Sequence, residues 1–538
     1  MQSKLLRGTF ILTLGTFISK LLGLFYVIPF ARIVGETGTV LYQYSYVPYT
    51  IFISLATAGV PLAVAKFISK YNAMEEYAVG RRLFKSGLVV MLGTGMAAFL
   101  ILYLTAPIVA DIIIADHDKQ TNPRDIVTVI RAVSFALIII PFMSLIRGFF
   151  QGHQSMGPSA VSQVVEQVVR IAFLLAGAFI VLNVMEGEIV TAISIATFSA
   201  FVGGLGSLFV LFWYWYKRKP HLDELLLQDK GSVQVSLKDM YKEILIYSIP
   251  FILVGIANPL FQWIDTMTFN RAMTSIGLGS ISERELAKLS FNTHKLVIIP
   301  VSLATAFSLT LVPSITQAFI SKDQKGVNKQ LNQTFQVLMF ITLPAALGLS
   351  LLAEPAYTVF YGPNASGTDI LQLYAPVAVL FALYSVTAAI LQGIDEQKFT
   401  ILSLLVGILV KLSLNIPFIK MFETDGAIYA TALGYGVAIG INLVVIKIFS
   451  GYRFRLVLRR GLLIVIFNVF MILVAALVYY LATMVLSPKS EIHSIIIILL
   501  SAAAGAGIYV YLSFKTRLIY FLFGERVERI MKKVKLRG

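Results

Sequence analysis

A few charged side chains stand inside otherwise apolar sequence, and these are the residues that could do chemistry. Lys20 lies midway along one apolar run, in Ile18-Ser19-Lys20-Leu21-Leu22-Gly23. Lys295 follows His294 early in another, in Asn292-Thr293-His294-Lys295-Leu296. Glu166 and Arg170 are four apart in a third run, so a helix places them on one face within pairing reach. Asp265, in Trp263-Ile264-Asp265-Thr266, and Lys411 are isolated in further runs. A charge in hydrocarbon costs roughly 2.5–3.5 kcal/mol on insertion scales, so each needs a partner, a wet cavity or an interfacial position. Lys20 is too deep to snorkel easily; it either pairs with a neighbouring helix or meets a substrate or ion. Lys295 is nearer the outer end of its run, where snorkelling competes with the functional reading. Asp265 either holds a cation or partners Lys20 or Lys295. If Lys20, Lys295 and Arg32 face one cleft, that cleft is cationic and suits an anion such as a phosphate or pyrophosphate head group.

Other chemistry is absent from the sequence. There is no Gly-x-x-x-x-Gly-Lys-Ser/Thr phosphate loop. The five histidines, His117, His153, His221, His294 and His493, lack metal-ligand spacing. With no cysteine, disulfides, thiolate catalysis and Cys-based metal sites are excluded. No enzyme, metal or cofactor is expected. Uphill movement of a substrate would draw on the membrane potential or a monovalent ion.

The elements that must position these charges are membrane helices. The chain has 538 residues, of which 57% are hydrophobic and 13% charged, with a mean hydropathy of +0.82. Apolar runs recur about fourteen times, from 8–34 to 492–514, each long enough to cross about 30 Å of hydrocarbon. Continuous runs of this length predict helices rather than the weak alternating segments of a barrel. The fold class is therefore an all-α polytopic membrane protein of about 14 transmembrane helices. Tyr42, Tyr44, Tyr46 and Tyr49 open the second run and read as an aromatic belt at the outer interface.

The formal charge of +16 has no nucleic-acid motif beside it, and the placement of the basic residues explains it instead. Lys20, Arg131, Arg170, Lys295 and Lys411 fall within spans. Arg32, Lys119, Arg124, Arg271, Arg284, Lys288, Lys420 and Lys489 fall on one side of the membrane, and every other Lys and Arg falls on the side of the N-terminus. That bias places both termini in the cytoplasm.

The sequence also repeats. Val60-Pro61 with Phe67-Ile68-Ser69-Lys70 returns as Val312-Pro313 with Phe319-Ile320-Ser321-Lys322. Gln151-Gly152 returns 241 residues later as Gln392-Gly393, and at that shift Arg170 meets Lys411. Two six-helix lobes in parallel repeat are implied, with a substrate cleft between them near mid-membrane. The expected domains are residues 1–216, a cytoplasmic linker 217–241, residues 242–450, and an extra helix pair with a basic tail, 451–538.

The stretch from Phe17-Ile18-Ser19-Lys20 through Ala31-Arg32-Ile33-Val34-Gly35, the Leu311-Val312-Pro313-Ser314 ending of span eight, the duplicated lobes and the two extra helices resemble the MurJ-type lipid II flippases. These belong to the multidrug/oligosaccharidyl-lipid/polysaccharide exporter superfamily. The resemblance covers essentially the whole chain and is nearest in the Gram-positive branch that includes the stage V sporulation protein B group. It implies a bacterial cytoplasmic-membrane protein that moves undecaprenyl-pyrophosphate-linked peptidoglycan precursor to the outer leaflet. By motif position Lys20, Arg32 and Lys295 would bind the pyrophosphate, and cell-wall synthesis enzymes are candidate partners. Where Gram-negative members carry an Arg-Asp pair and span-two arginines, this chain has Phe25-Tyr26 and Ile51-Phe52-Ile53-Ser54. The clamp is then smaller, or completed by others such as Glu166 with Arg170 and Lys411; Asp265 and His294 are further coupling or structural candidates. Three alternatives stay open: a flippase for another polyprenyl-linked polysaccharide, a cation-coupled multidrug exporter of the same fold, and a scaffold for cell-wall enzymes acting through the tail from Arg526 to Arg537.

Overall fold

A computed structural model describes residues 2–57, 59–114, 121–309 and 312–523. The described residues form two compact units that divide between Ala287 and Lys288. His117, Lys119, Leu311 and the basic tail lie outside the described residues.

The first unit holds α1 (Gln2–Phe25), α2 (Val27–Thr57), α3 (Val60–Ala73), α4 (Tyr77–Ile113), α5 (Pro123–Ser134), α6 (Ala136–Gly152), α7 (Met156–Phe179), α8 (Ile189–Leu227), α9 (Leu237–Ser275) and α10 (Gly279–Ala287). The second holds α11 (His294–Leu309), α12 (Val312–Ile320), α13 (Gln324–Leu351), α14 (Ala353–Tyr361), α15 (Ala365–Tyr374), α16 (Val377–Gly393), α17 (Gln397–Ser450), α18 (Arg455–Thr483), α19 (Glu491–Lys515) and α20 (Leu518–Phe523). Short π-helical turns extend α7 over Ile180–Val184 and lead into α11 over Lys288–Thr293. The apolar runs are helical throughout the described residues, because only a helix satisfies its backbone hydrogen bonds within one segment in lipid.

Two long helices each contain a boundary between spans. Within α2, Gly35 sits at φ 65° and ψ −168°, a conformation nearly closed to residues with a Cβ, and it ends span one. Within α17, Glu423 at φ 53° divides span eleven from span twelve.

Helix boundaries carry the repeat that the sequence predicts. Adding 241 to the ends of α6 gives those of α16, and adding it to the start of α7 gives the start of α17. Even the strained hinge between these helices is copied, with Gln154 at φ 56° and Asp395 at φ 62°. Val60 and Val312, of the two Val-Pro pairs, each start a helix. By sequence α9 opens the second copy of the repeat; by packing it belongs with α2, α3 and α4 in the first unit.

Of the segment from 217 to 241, the first part continues α8 to Leu227 and the last starts α9. The extended piece between them docks on the α3–α4 turn. Lys230 gives its backbone N–H to the Glu75 carbonyl at 3.0 Å and its ammonium to the Glu75 carboxylate at 2.8 Å. Asp229 accepts from the Ala78 N–H at 2.8 Å. Glu76 accepts from the Ser232 hydroxyl and from its N–H at 2.9 Å. The Ser232 hydroxyl and the N–H groups of residues 231–233 hold the Glu76 carboxyl below the usual carboxylate range.

Candidate functional site

The span-borne charges of the first unit, with Arg32 beside them, lie on α1, α2, α5, α6, α7 and α9. Helices α1 and α7 run side by side. A Cβ on Gly15 would meet Ala160 Cβ at 2.8 Å, and a small residue at this point lets the two backbones close. The next residue, Thr16, donates through Oγ1 to Gln163 Oε1, one turn along α7 from Ala160, at 2.9 Å. Gln167 Oε1 then stands opposite Gly23. Lys20 sits between these two rungs; it is exposed and makes no hydrogen bond or ion pair among the described residues. Of the two readings of Lys20, pairing with a neighbouring helix is thus the one the structure does not provide. Arg32 is exposed three residues before Gly35, and Asp265 is buried in α9.

Glu166 and Arg170 do not pair. The Glu166 carboxylate is taken by Arg147 Nη2 of α6 at 2.7 Å. Arg147 also reaches Ser207 Oγ of α8 at 2.9 Å and Ser162 Oγ of α7 at 3.0 Å. Helical spacing brings residues four apart together, but a fork with five donors arriving from another helix offers the carboxylate a better partner. Arg147 escaped the sequence reading because it lies at the end of an apolar run, where a basic residue marks only the membrane edge.

Arg170 turns instead to a group of tyrosines. Its Nη2 donates to Tyr42 Oη at 3.4 Å, and Tyr46, Tyr49 and Tyr26 are its other electrostatic neighbours. Tyr42 stacks on Tyr46 with ring centroids 5.5 Å apart, and Tyr26 Oη lies 3.5 Å from Tyr42 Oη. The expected aromatic belt is corrected here: Tyr42, Tyr44 and Tyr49 are at most 2% exposed. Residues 42, 46 and 49 stand at i, i+4 and i+7 and make an inward stripe, while Tyr44 takes a hydrogen bond from Asn270 Nδ2 of α9 at 2.8 Å.

In the second unit the π turn sets up His294 and Lys295. Asn292 donates to Tyr357 Oη and its carbonyl accepts from Tyr361 Oη, both at 3.0 Å, which pins the turn to α14. His294 Nδ1 is 3.0 Å from Tyr374 Oη of α15, and its ring also packs against Phe381. Lys295 Nζ lies 5.2 Å from the centroid of the Phe291 ring, one turn back, in a cation–π contact. Lys411 is completely buried, its ammonium donating to Ala427 O at 2.9 Å and Thr431 Oγ1 at 2.7 Å across the α17 hairpin.

Lys20 and Arg32 thus belong to one unit and Lys295 to the other, whereas Arg170 and Lys411 have unlike surroundings. Among the described residues no cluster of His, Asp or Glu could hold a metal ion.

Residues 5–319 match the family described as Polysaccharide biosynthesis protein, and residues 259–417 match MatE. A lipid II flippase MurJ of Bacillus subtilis is 46% identical over 539 residues, covering 99% of both chains. The chain belongs to the MurJ family. Stage V sporulation protein B of the same organism, a more distant relative, is 25% identical over 76% of each chain. Among solved structures, a lipid II flippase MurJ in an inward closed conformation aligns with a TM-score of 0.65 at 16% identity, covering 95% of this chain and 100% of that one. An inward-facing MATE transporter of the MOP superfamily reaches 0.63 at 15% identity, covering 80% and 94%. These two likenesses show the fold alone, the one those structures share; among the described residues ten helical stretches are long and apolar enough to cross a membrane, and the 54-residue stretch of α17 holds two spans.

Proposed function

We propose that this MurJ-family chain is a transporter that carries lipid II from the inner to the outer leaflet of a bacterial cell membrane by alternating access. The observation that carries the reading is end-to-end identity of 46% with a relative named for that activity. The polyprenyl tail remains in lipid while the sugar-peptide head group crosses, so the cost to be met is desolvation of the pyrophosphate. Lys20 and Arg32 on the first unit, and Lys295 on the second, are the cations that motif position assigns to the pyrophosphate. Lys20 supports this reading because its ammonium is exposed and uncommitted. Lys295 agrees with it in that its ammonium stays a full cation against the Phe291 ring, 5.2 Å from the centroid. Both termini lie in the cytoplasm on this reading, as the basic residues of the loops require. The membrane potential supplies the work of the return step, worth about 2.3 kcal/mol per elementary charge per 100 mV.

The test is depletion in cells followed by an externally added enzyme that cleaves exposed lipid II head groups. Exposed lipid II should fall while the precursor accumulates inside, with rescue by the wild-type chain and none by Lys20→Glu. Unchanged exposure after depletion would overturn the reading.

A further inference from the structure

Arg170 is the fifteenth of the 29 residues Met156–Val184, so it stands at the middle of its span, where a fixed charge is hardest to hold. The nearest carboxylate that could have neutralised it, Glu166, is spent on Arg147, whose remaining contacts go to Ser162 and Ser207. Among the described residues the guanidinium makes one hydrogen bond, a long one of 3.4 Å to a neutral phenol. A guanidinium has five donors in a planar fork, so most of its capacity is unused. Around it the phenols of Tyr42, Tyr46 and Tyr26 bring O–H groups that can donate to an anion. The residue as a whole is half-buried.

The position connects with Lys20. Gln163, Gln167 and Arg170 fall at i, i+4 and i+7, one face of α7, and the first two of them meet α1 at Thr16 and Gly23. Lys20 lies on α1 between those rungs, and Arg170 lies one turn beyond the second. Gly203 of α8 closes on the base of the side chain: a Cβ there would meet Arg170 Cβ at 2.9 Å and Glu166 O at 2.8 Å.

We infer that Arg170 with Tyr42 forms an anion subsite inside the first unit that binds a phosphoryl group of the lipid-linked diphosphate, one turn beyond the Gly23–Gln167 rung. This rests on the proposed transport of a polyprenyl-diphosphate precursor and names a residue beyond the three cations assigned by motif. A guanidinium binds two phosphoryl oxygens at once, and the phenol of Tyr42 donates to a third.

The experiment uses the full chain in lipid nanodiscs and measures binding of undecaprenyl diphosphate, undecaprenyl monophosphate and phosphatidylglycerol by native mass spectrometry. Lipid II transport is measured in parallel in vesicles. Arg170→Gln should weaken undecaprenyl diphosphate binding at least tenfold, and Tyr42→Phe severalfold, with the diphosphate preferred over the monophosphate in wild type. Arg170→Lys keeps the charge and loses the fork; it should retain thermal stability yet bind the diphosphate several times more weakly, which a merely structural arginine would not do. If wild type transports lipid II and Arg170→Gln and Arg170→Lys bind the diphosphate as wild type does, the subsite is overturned and the transport reading stands. If Arg170-dependent binding is to phosphatidylglycerol alone, the subsite holds a membrane lipid and its assignment to the precursor is overturned. Wild type that neither binds the diphosphate nor transports lipid II overturns both.

Discussion

Spans five and eleven are the same element in the two copies of the repeat, and each carries a cation at the same place, Arg170 and Lys411, 241 residues apart. Their surroundings differ. Lys411 is fully buried and its ammonium is met within its own hairpin, by Ala427 O and Thr431 Oγ1. The hairpin partner of Arg170, α8, closes on its Cβ at Gly203, and the guanidinium reaches the phenol of Tyr42 on α2. A duplicated position therefore does not imply a duplicated role. What decides it is which groups the neighbouring spans bring to the charged end: a carbonyl and a hydroxyl of its own hairpin for Lys411, and a phenol from α2 for Arg170.

The comparison can be broken most sharply at Glu166. Glu166→Ala leaves Arg147 charged and uncompensated among α6, α7 and α8, and should cost about 3–5 kcal/mol of stability. Thermal unfolding of the purified chain measures this. If Arg170 rather than Arg147 were the real partner, Arg147→Met would leave stability unchanged and Arg170→Met would reproduce the loss.

A smaller effect is expected at the other copy. Lys411→Met removes the ammonium but leaves Thr431 Oγ1 bonded to Ala427 O at 2.9 Å, so the cost should be about 1–3 kcal/mol. Undecaprenyl diphosphate affinity should be unchanged. A tenfold loss of affinity in a stable Lys411→Met protein would erase the distinction between the two copies.

The smallest effect is at the edge of the first unit, where the linker meets the α3–α4 turn. The Glu76 carboxyl is held low by the linker, so its contribution is complete above the ordinary carboxylate range and is lost as pH falls through its depressed value. Hydrogen exchange at residues 230–236 should accelerate on acidification beyond the intrinsic pH dependence of exchange. In Glu76→Gln that extra step should be absent, with exchange faster already at neutral pH.

Much of this architecture was legible from residue order. Hydropathy marked the spans, and the spacing of Val-Pro and Gln-Gly pairs marked the repeat, down to helix ends that match at a shift of 241. The tyrosines of span two were misread as an interfacial belt because aromatic residues at a helix start have two common uses. Their i, i+4, i+7 spacing was the signal for the inward one. Glu166 and Arg170 were misassigned because periodicity reports only neighbours on the same helix, and Arg147 lies nineteen residues earlier on another.

The sequence by itself determined that this is a helical membrane protein in two copies of one unit, because apolar length and repeat spacing are properties of the chain alone. It also determined which charges must be accounted for, since any lysine or arginine in hydrocarbon demands an explanation. Only the tertiary structure decided how each demand is met. Partner choice depends on which side chains neighbouring helices bring within about 3 Å, and that distance is set by packing: Ser207 and Glu166 around Arg147, Thr431 beside Lys411, and Gly203 beside Arg170.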